Sequence, residues 1–122
     1  MTEIFVFGSN LAGRHGKGAA LHAIQNYAAI YGQGVGMQGQ SYAIPTKDKT
    51  LKPLELSAIS YYVHQFINWA NYCHLKEKDY LFIVTAIGCG LAGYKSNQIA
   101  PMFKSAIHMR NIRLPLEFER LL

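Results

Sequence analysis

Tyr80-Leu81-Phe82-Ile83-Val84-Thr85-Ala86-Ile87 runs without a charge into Gly88-Cys89-Gly90-Leu91-Ala92-Gly93. An uninterrupted apolar, β-branched run suits a strand covered on both faces, as in a parallel sheet. Near the other end of the chain, Ile4-Phe5-Val6-Phe7 runs into Gly8-Ser9-Asn10-Leu11-Ala12-Gly13. Both glycine segments fit G-x-x-L-A-G, both follow a buried strand, and both lead towards a helix. The echo covers six residues. It therefore speaks for one local backbone shape used twice, not for a duplicated domain.

Outward from these junctions, helices and strands alternate. A helix is expected over 16–31, with Ala19, Ala20, Ala23, Ile24, Tyr27 and Ile30 or Tyr31 at helical spacing and Gly32 ending it. Residues 32–40, GQGVGMQGQ, read as a loop. Ser41–Ile44 is a short strand closed by Pro45. A long helix spans about Leu54–Cys73, with a core stripe of Ile59, Val63, Phe66, Ile67 and Ala70. After Tyr80–Ile87 comes a helix over Ser96–Met109 bearing Ile99, Phe103 and Ile107. Asn111–Leu114 is a last strand, and 116–122 a tail. This order implies an α/β fold: three layers, a mostly parallel central sheet, helices on both faces. Residues 1–122 form one domain with no linker.

Composition narrows the function classes. Half of the 122 residues are hydrophobic and 16% are charged, as in a globular chain. No apolar run approaches a membrane span, so no membrane partner is expected. The opening Met1-Thr2-Glu3-Ile4 lacks the basic start and apolar stretch of a signal peptide, and Cys73 and Cys89 have no metal or redox spacing. A cytoplasmic setting with free thiols is expected. The net charge of +5 favours anionic partners. Its Lys and Arg residues are scattered rather than clustered, which disfavours a nucleic-acid surface.

The glycine junctions carry the chemistry. Loops leaving the C-terminal ends of parallel strands gather at one edge, where ligands bind. Glycine lets the backbone approach a ligand, and a following helix N-terminus offers unpaired N–H groups. Together these favour phosphate, and two junctions suit a diphosphate. The first loop continues Arg14-His15-Gly16-Lys17-Gly18, placing cations beside a helix start where the dipole disfavours them. That placement makes sense if an anion binds there. Gly88-x-Gly90-x-x-Gly93 matches the dinucleotide fingerprint literally, but no acidic residue ends the next strand. No Walker A sequence occurs.

Residues 8–22, GSNLAGRHGKGAALH, are similar to the first ligand loop of macrodomains. Ser41-Tyr-Ala-Ile-Pro45 resembles the segment that follows there, and Thr85-Ala-Ile-Gly-Cys-Gly-Leu-Ala-Gly-Tyr94 resembles their second, phosphate-binding loop. The likeness spans residues 4–108, and its specific motifs lie in the two loops. More narrowly, the chain resembles small phage and bacterial macrodomain-like proteins. The resemblance implies an ADP-ribose-type ligand, with some relatives hydrolysing ADP-ribosyl bonds and others only binding. It implies that Asn10 contacts the distal ribose, that the backbone of 13–18 and 88–93 wraps the diphosphate, and that Tyr94 flanks ribose or phosphate. Two departures stand out. The chain begins at the strand matching the family's first loop, so the family's adenine-gripping Asp has no counterpart. Arg14, His15 and Lys17 also interrupt its run of glycines.

The expected ligand-binding residues are thus Gly8, Ser9, Asn10, Leu11, Gly13, Arg14, His15, Gly16, Lys17 and Gly18 in the first loop, with Gly88, Cys89, Gly90, Leu91, Ala92, Gly93 and Tyr94 in the second. Candidate catalytic groups are Asn10 to fix a hydroxyl or water, His15 and Lys17 as acid, base or nucleophile, and Asp48 to activate water. No metal or cofactor is expected. Scarce carboxylates favour a binder that sequesters or senses a nucleotide. The alternatives are a hydrolase of an ADP-ribosyl bond or ADP-ribose phosphate, and a basic interaction module. Tyr61, Tyr62, Trp69 and Tyr72 on the long helix make a homodimer face a further candidate.

Overall fold

The structure, a computed structural model, describes residues 1–122. Strand β1 (Thr2–Asn10) is central, followed by helix α1 (Gly18–Asn26), edge strand β2 (Gly36–Gln38), β3 (Ser41–Lys47), helix α2 (Leu56–Leu75) and β4 (Tyr80–Val84). A short helix α3 (Ser96–Ile99) runs into a 3-10 helix (Ala100–Ala106), then β5 (Ile112–Arg113) and helix α4 (Leu116–Glu119). The sheet order is β2-β3-β1-β4-β5. β1 is parallel to β3 and β4, and β4 is parallel to β5. Only β2 runs antiparallel, against β3. The α/β class with a mostly parallel sheet is as expected from the alternation of elements.

Alternating side chains of β1 divide the interior in two. Ile4 and Val6 join the large core with α2, the 3-10 helix and α4. Phe7, with Phe5 at its margin, joins a smaller core with Ala20 and Ala23 of α1. Those alanines let α1 sit close to the sheet, and Phe5 stacks on Tyr27 with ring centroids 4.8 Å apart. In the larger core, Phe66 of α2 meets Tyr42, Phe82 and Phe103 edge-on, at 5.1, 5.5 and 6.5 Å between centroids. Burial pushes the Tyr42 hydroxyl pKa up to about 12. The stripe Ile59, Val63, Phe66, Ile67 and Ala70 is buried as expected, whereas Tyr61 and Tyr72 face solvent. No helix is long and apolar enough to cross a membrane.

Several boundaries differ from expectation for identifiable reasons. α1 stops at Asn26 because Ala28 takes a left-handed conformation (φ 57°). Ile30 and Tyr31 therefore leave the helix and are exposed. Pro45 does not close β3. It pairs with Ser9, the register slips between Ser9 and Asn10, and the strand continues to Lys47 opposite Asn10. A proline cannot donate to the ladder, and a bulge accommodates it. Thr46, passed over in that slip, donates its hydroxyl to Ser9 O at 3.3 Å. The helix expected to continue to Met109 is α-helical only to Ile99, because Pro101 removes a backbone donor. GQGVGMQGQ contains β2 instead of being loop throughout.

Phe66 is fully buried and touches aromatic side chains from β3, β4 and the 3-10 helix. Phe66→Ala should lower unfolding free energy by about 4 kcal/mol, read by urea denaturation. A loss below about 1 kcal/mol would mean that the two halves of the core do not meet there.

Candidate functional site

The chain crosses from β1 to β3 by way of α1 and from β3 to β4 by way of α2. α1 and α2 pack against opposite faces of β1, and a crevice opens beyond its C-terminal end. A cavity of about 640 Å³ occupies this place. Gly8, Ser9 and Asn10 of β1 line it, with Arg14 and Gly16–Gly18 of the first loop and Gly88, Gly90, Leu91 and Ala92 of the second. The loops meet closely: a Cβ on Gly8 would lie 3.6 Å from Gly88 N.

Unpaired backbone amides are the main feature of the lining. Gly16, Lys17, Gly18, Ala19 and Ala20 have no hydrogen-bond partner for their N–H groups, and all five line the cavity. The last three are the first residues of α1, which has no side-chain cap and no acidic residue in its first turn. In the second loop the N–H groups of Gly88, Gly90, Leu91 and Ala92 are likewise unpaired, and these residues line the cavity. Cys89 and Gly93, which lie outside the lining, donate to Ala86 O (3.2 Å) and Gly90 O (3.0 Å) instead.

The echoed L-A-G motif has a shared geometry. Gly13 donates to Asn10 O at 2.9 Å and Gly93 to Gly90 O at 3.0 Å, and both glycines have positive φ (70° and 84°). The two turns are used differently. Leu91 and Ala92 of the second face the cavity; Leu11 and Gly13 of the first do not. The first turn is pinned to the segment after α1. Gly32 donates to Gly13 O at 2.8 Å, and the Ser9 hydroxyl donates to Gly34 O. A Cβ on Gly34 would lie 2.1 Å from Asn10 O, and one on Gly13 would lie 2.2 Å from Gly32 C. The glycine-rich stretch 32–34 is thus a bed beneath the first loop.

The candidate catalytic groups scatter. Asn10 lines the cavity, but its amide locks the loop. Its Nδ2 donates to Arg14 O and its Oδ1 accepts from Arg14 N, each at 3.0 Å. His15 is buried outside the lining between Phe7 and Tyr31. Its Nε2 lies 2.8 Å from Gln33 O, which can only accept, so Nε2 carries the proton and Nδ1 is left without a partner. Asp48 also lies outside the lining. Its carboxylate accepts from Thr50 Oγ1, Thr50 N and Lys52 N at 2.7, 2.8 and 3.0 Å. The Thr50 hydroxyl foremost, and then the Lys52 amide, hold its pKa below the usual value. Burial pushes the Cys89 thiol up, and Ser96 is its neighbour at 3.8 Å. Tyr94 turns away, donating its hydroxyl to Leu54 O. Lys17 lines the cavity.

Sequence reasoning missed part of the wall. Thr46 and Lys47 arrive because β3 runs past Pro45, and Leu51 because the turn held by Asp48 leans over the opening. Tyr31 arrives because α1 ends early, while Thr85, Ala86 and Ile87 leave β4 towards the first loop. Thr85 N and Oγ1 both donate to Val6 O, at 3.1 and 2.8 Å. The available signal was the parallel order itself, which brings the C-terminal ends of β1, β3, β4 and β5 to this edge.

The electrostatics are one-sided. Arg14, Lys17 and Lys47 line the cavity, and no Asp, Glu or His does. The chain's one ion pair joins the Met1 amino group to Asp79, so these cations have no internal counterion. No group of three His, Cys, Asp or Glu side chains is placed to hold a metal. Comparison with family models, curated proteins and solved structures finds no match.

Gly34→Ala should destabilise the fold by at least about 3 kcal/mol, because its methyl meets backbone that cannot yield. Gly16→Ala, which meets nothing within 4 Å, should change stability by under about 1 kcal/mol. Thermal unfolding of the pair checks this. Equal losses would contradict the bed beneath the first loop.

Proposed function

We propose that this chain binds an ADP-ribose-type nucleotide at the C-terminal edge of β1 and β4, with the diphosphate on the unpaired amides of both loops. The observation that carries this is the match between free amides and cavity wall, residues 16–20 on one side and 88 and 90–92 on the other. Four of these residues, Ala19, Ala20, Gly88 and Ala92, are buried or half-buried, where N–H groups without partners are rare unless something else satisfies them. Successive free amides at a helix start and in a tight loop suit anionic oxygen. Arg14, Lys17 and Lys47 would offset the phosphate charge, and the cavity volume is in the range of small-molecule sites. The resemblance to macrodomain loops supports the adenosine-diphosphate-ribose assignment.

Within this reading, binding is favoured over hydrolysis. The lining offers no carboxylate or imidazole to activate water, and the Asn10 amide is occupied by Arg14. A sequestering or sensing role follows from that chemistry.

Calorimetric titration with ADP-ribose should give a dissociation constant of about 1 μM, or about 8 kcal/mol, with AMP at least about tenfold weaker. Gly90→Glu should abolish binding without unfolding the chain, because Gly90 has no neighbour within 4 Å and no positive φ. Failure of ADP-ribose to bind, or an unchanged affinity in Gly90→Glu, would overturn the proposal. Release of more than one equivalent of product from an ADP-ribosylated substrate would replace the binder with the hydrolase.

A further inference from the structure

Three large apolar side chains are exposed along the cavity. Leu91, Tyr31 and Leu51 line it and are 67%, 63% and 41% exposed. They come from three separate loops, after β4, α1 and β3 respectively. A single exposed apolar side chain needs no explanation, but three around one opening mark a contact surface.

Two of them are held in place. Tyr31 stands edge-on to the buried His15 ring, with centroids 6.3 Å apart, and His15 is fixed by Gln33 O. Leu51 has φ 68°, a left-handed conformation that a branched side chain rarely adopts. The Asp48 carboxylate imposes it by gathering Thr50 and Lys52 around the turn. Glycine would suit that backbone better, so leucine there spends stability on presenting an apolar group to the opening.

No side chain at the mouth presents a matched donor and acceptor pair to the hydrogen-bonding edge of a base: Tyr31 carries a single hydroxyl, and Leu51 and Leu91 carry none. The hydroxyls of Ser9, Thr46 and Thr85 donate to main-chain carbonyls, and Asn10 is bonded at both amide atoms. The remaining charged groups are cations. Discrimination between bases needs a matched donor and acceptor pair, whereas the faces of all bases pack alike on apolar and aromatic groups.

We propose that Tyr31, Leu51 and Leu91 hold the nucleotide's base by packing alone, so that the site accepts nucleoside-diphosphate sugars irrespective of the base. This rests on the nucleotide reading above and adds its specificity. Adenine, guanine and uracil are equivalent to such a mouth, and selection falls on the diphosphate.

Titration with ADP-ribose, GDP-ribose and UDP-ribose tests it, since these differ only in the base. Their affinities should lie within about tenfold of one another. Tyr31→Ala and Leu51→Gly should each weaken all three by about tenfold or more. Leu51→Gly also relieves the left-handed backbone, so its thermal midpoint should hold or rise, which separates a lost contact from a lost fold. A preference above about tenfold for one base, or unchanged affinities in both variants, overturns the inference. Binding of ADP-ribose alone would leave the nucleotide reading standing and remove only this one. Binding of none of the three would remove both.

Discussion

Backbone packed directly on backbone, between Asn10–Gly13 and Gly32–Gly34, holds the edge of the sheet where the cavity opens. No side chain separates the two segments, and a Cβ at Gly13 or Gly34 would drive them apart. With the first turn seated there, Asn10 closes the loop through Arg14, and His15 is buried against Phe7 with its Nε2 on Gln33 O. The chain then rises into Gly16–Ala20 with its amides unspent. The arrangement resembles a fixed jaw: one side anchored by glycine contacts, the other formed by the turn after β4.

That constraint explains why conspicuous residues of the first loop have unglamorous tasks. Histidine beside lysine and arginine suggests chemistry, yet His15 is a wedge and only Arg14 and Lys17 remain at the cavity. Asp48 resembles a water-activating carboxylate in sequence, yet its Oδ1 accepts three hydrogen bonds that shape the turn presenting Leu51, and the residue lies outside the cavity lining. The charged side chains that remain at the cavity are cations, and they stand among free main-chain N–H groups; both favour bound anion over proton transfer. The charged side chains of the lining are therefore of one sign, with exposed apolar side chains beside them.

Much of this was legible in the residues. The apolar runs Ile4–Phe7 and Tyr80–Ile87 read as strands, which they form as far as Val84, and the stripe on α2 marked part of the larger core. The L-A-G echo did announce one turn used twice. The extent of β3 was hidden, because Pro45 reads as a terminator unless the neighbouring strand absorbs it in a bulge, which depends on tertiary pairing. The early end of α1 was hidden because an alanine, not a glycine, takes the left-handed position. Both concealed wall residues, Lys47 and Tyr31 among them. The burial of His15 was not legible either: its partner is a main-chain carbonyl eighteen residues away, which no spacing rule announces.

The most direct measurement is the shift of backbone amide resonances on adding ADP-ribose to the isotopically labelled chain. The largest shifts should fall on Gly16, Lys17, Gly18, Gly88 and Gly90, whose N–H groups are free. Cys89 and Gly93, already bonded within the loop, should move less. Shifts confined to the exposed face of α2 around Tyr61 and Tyr72, or no shifts in either glycine loop, would contradict the two-loop diphosphate site.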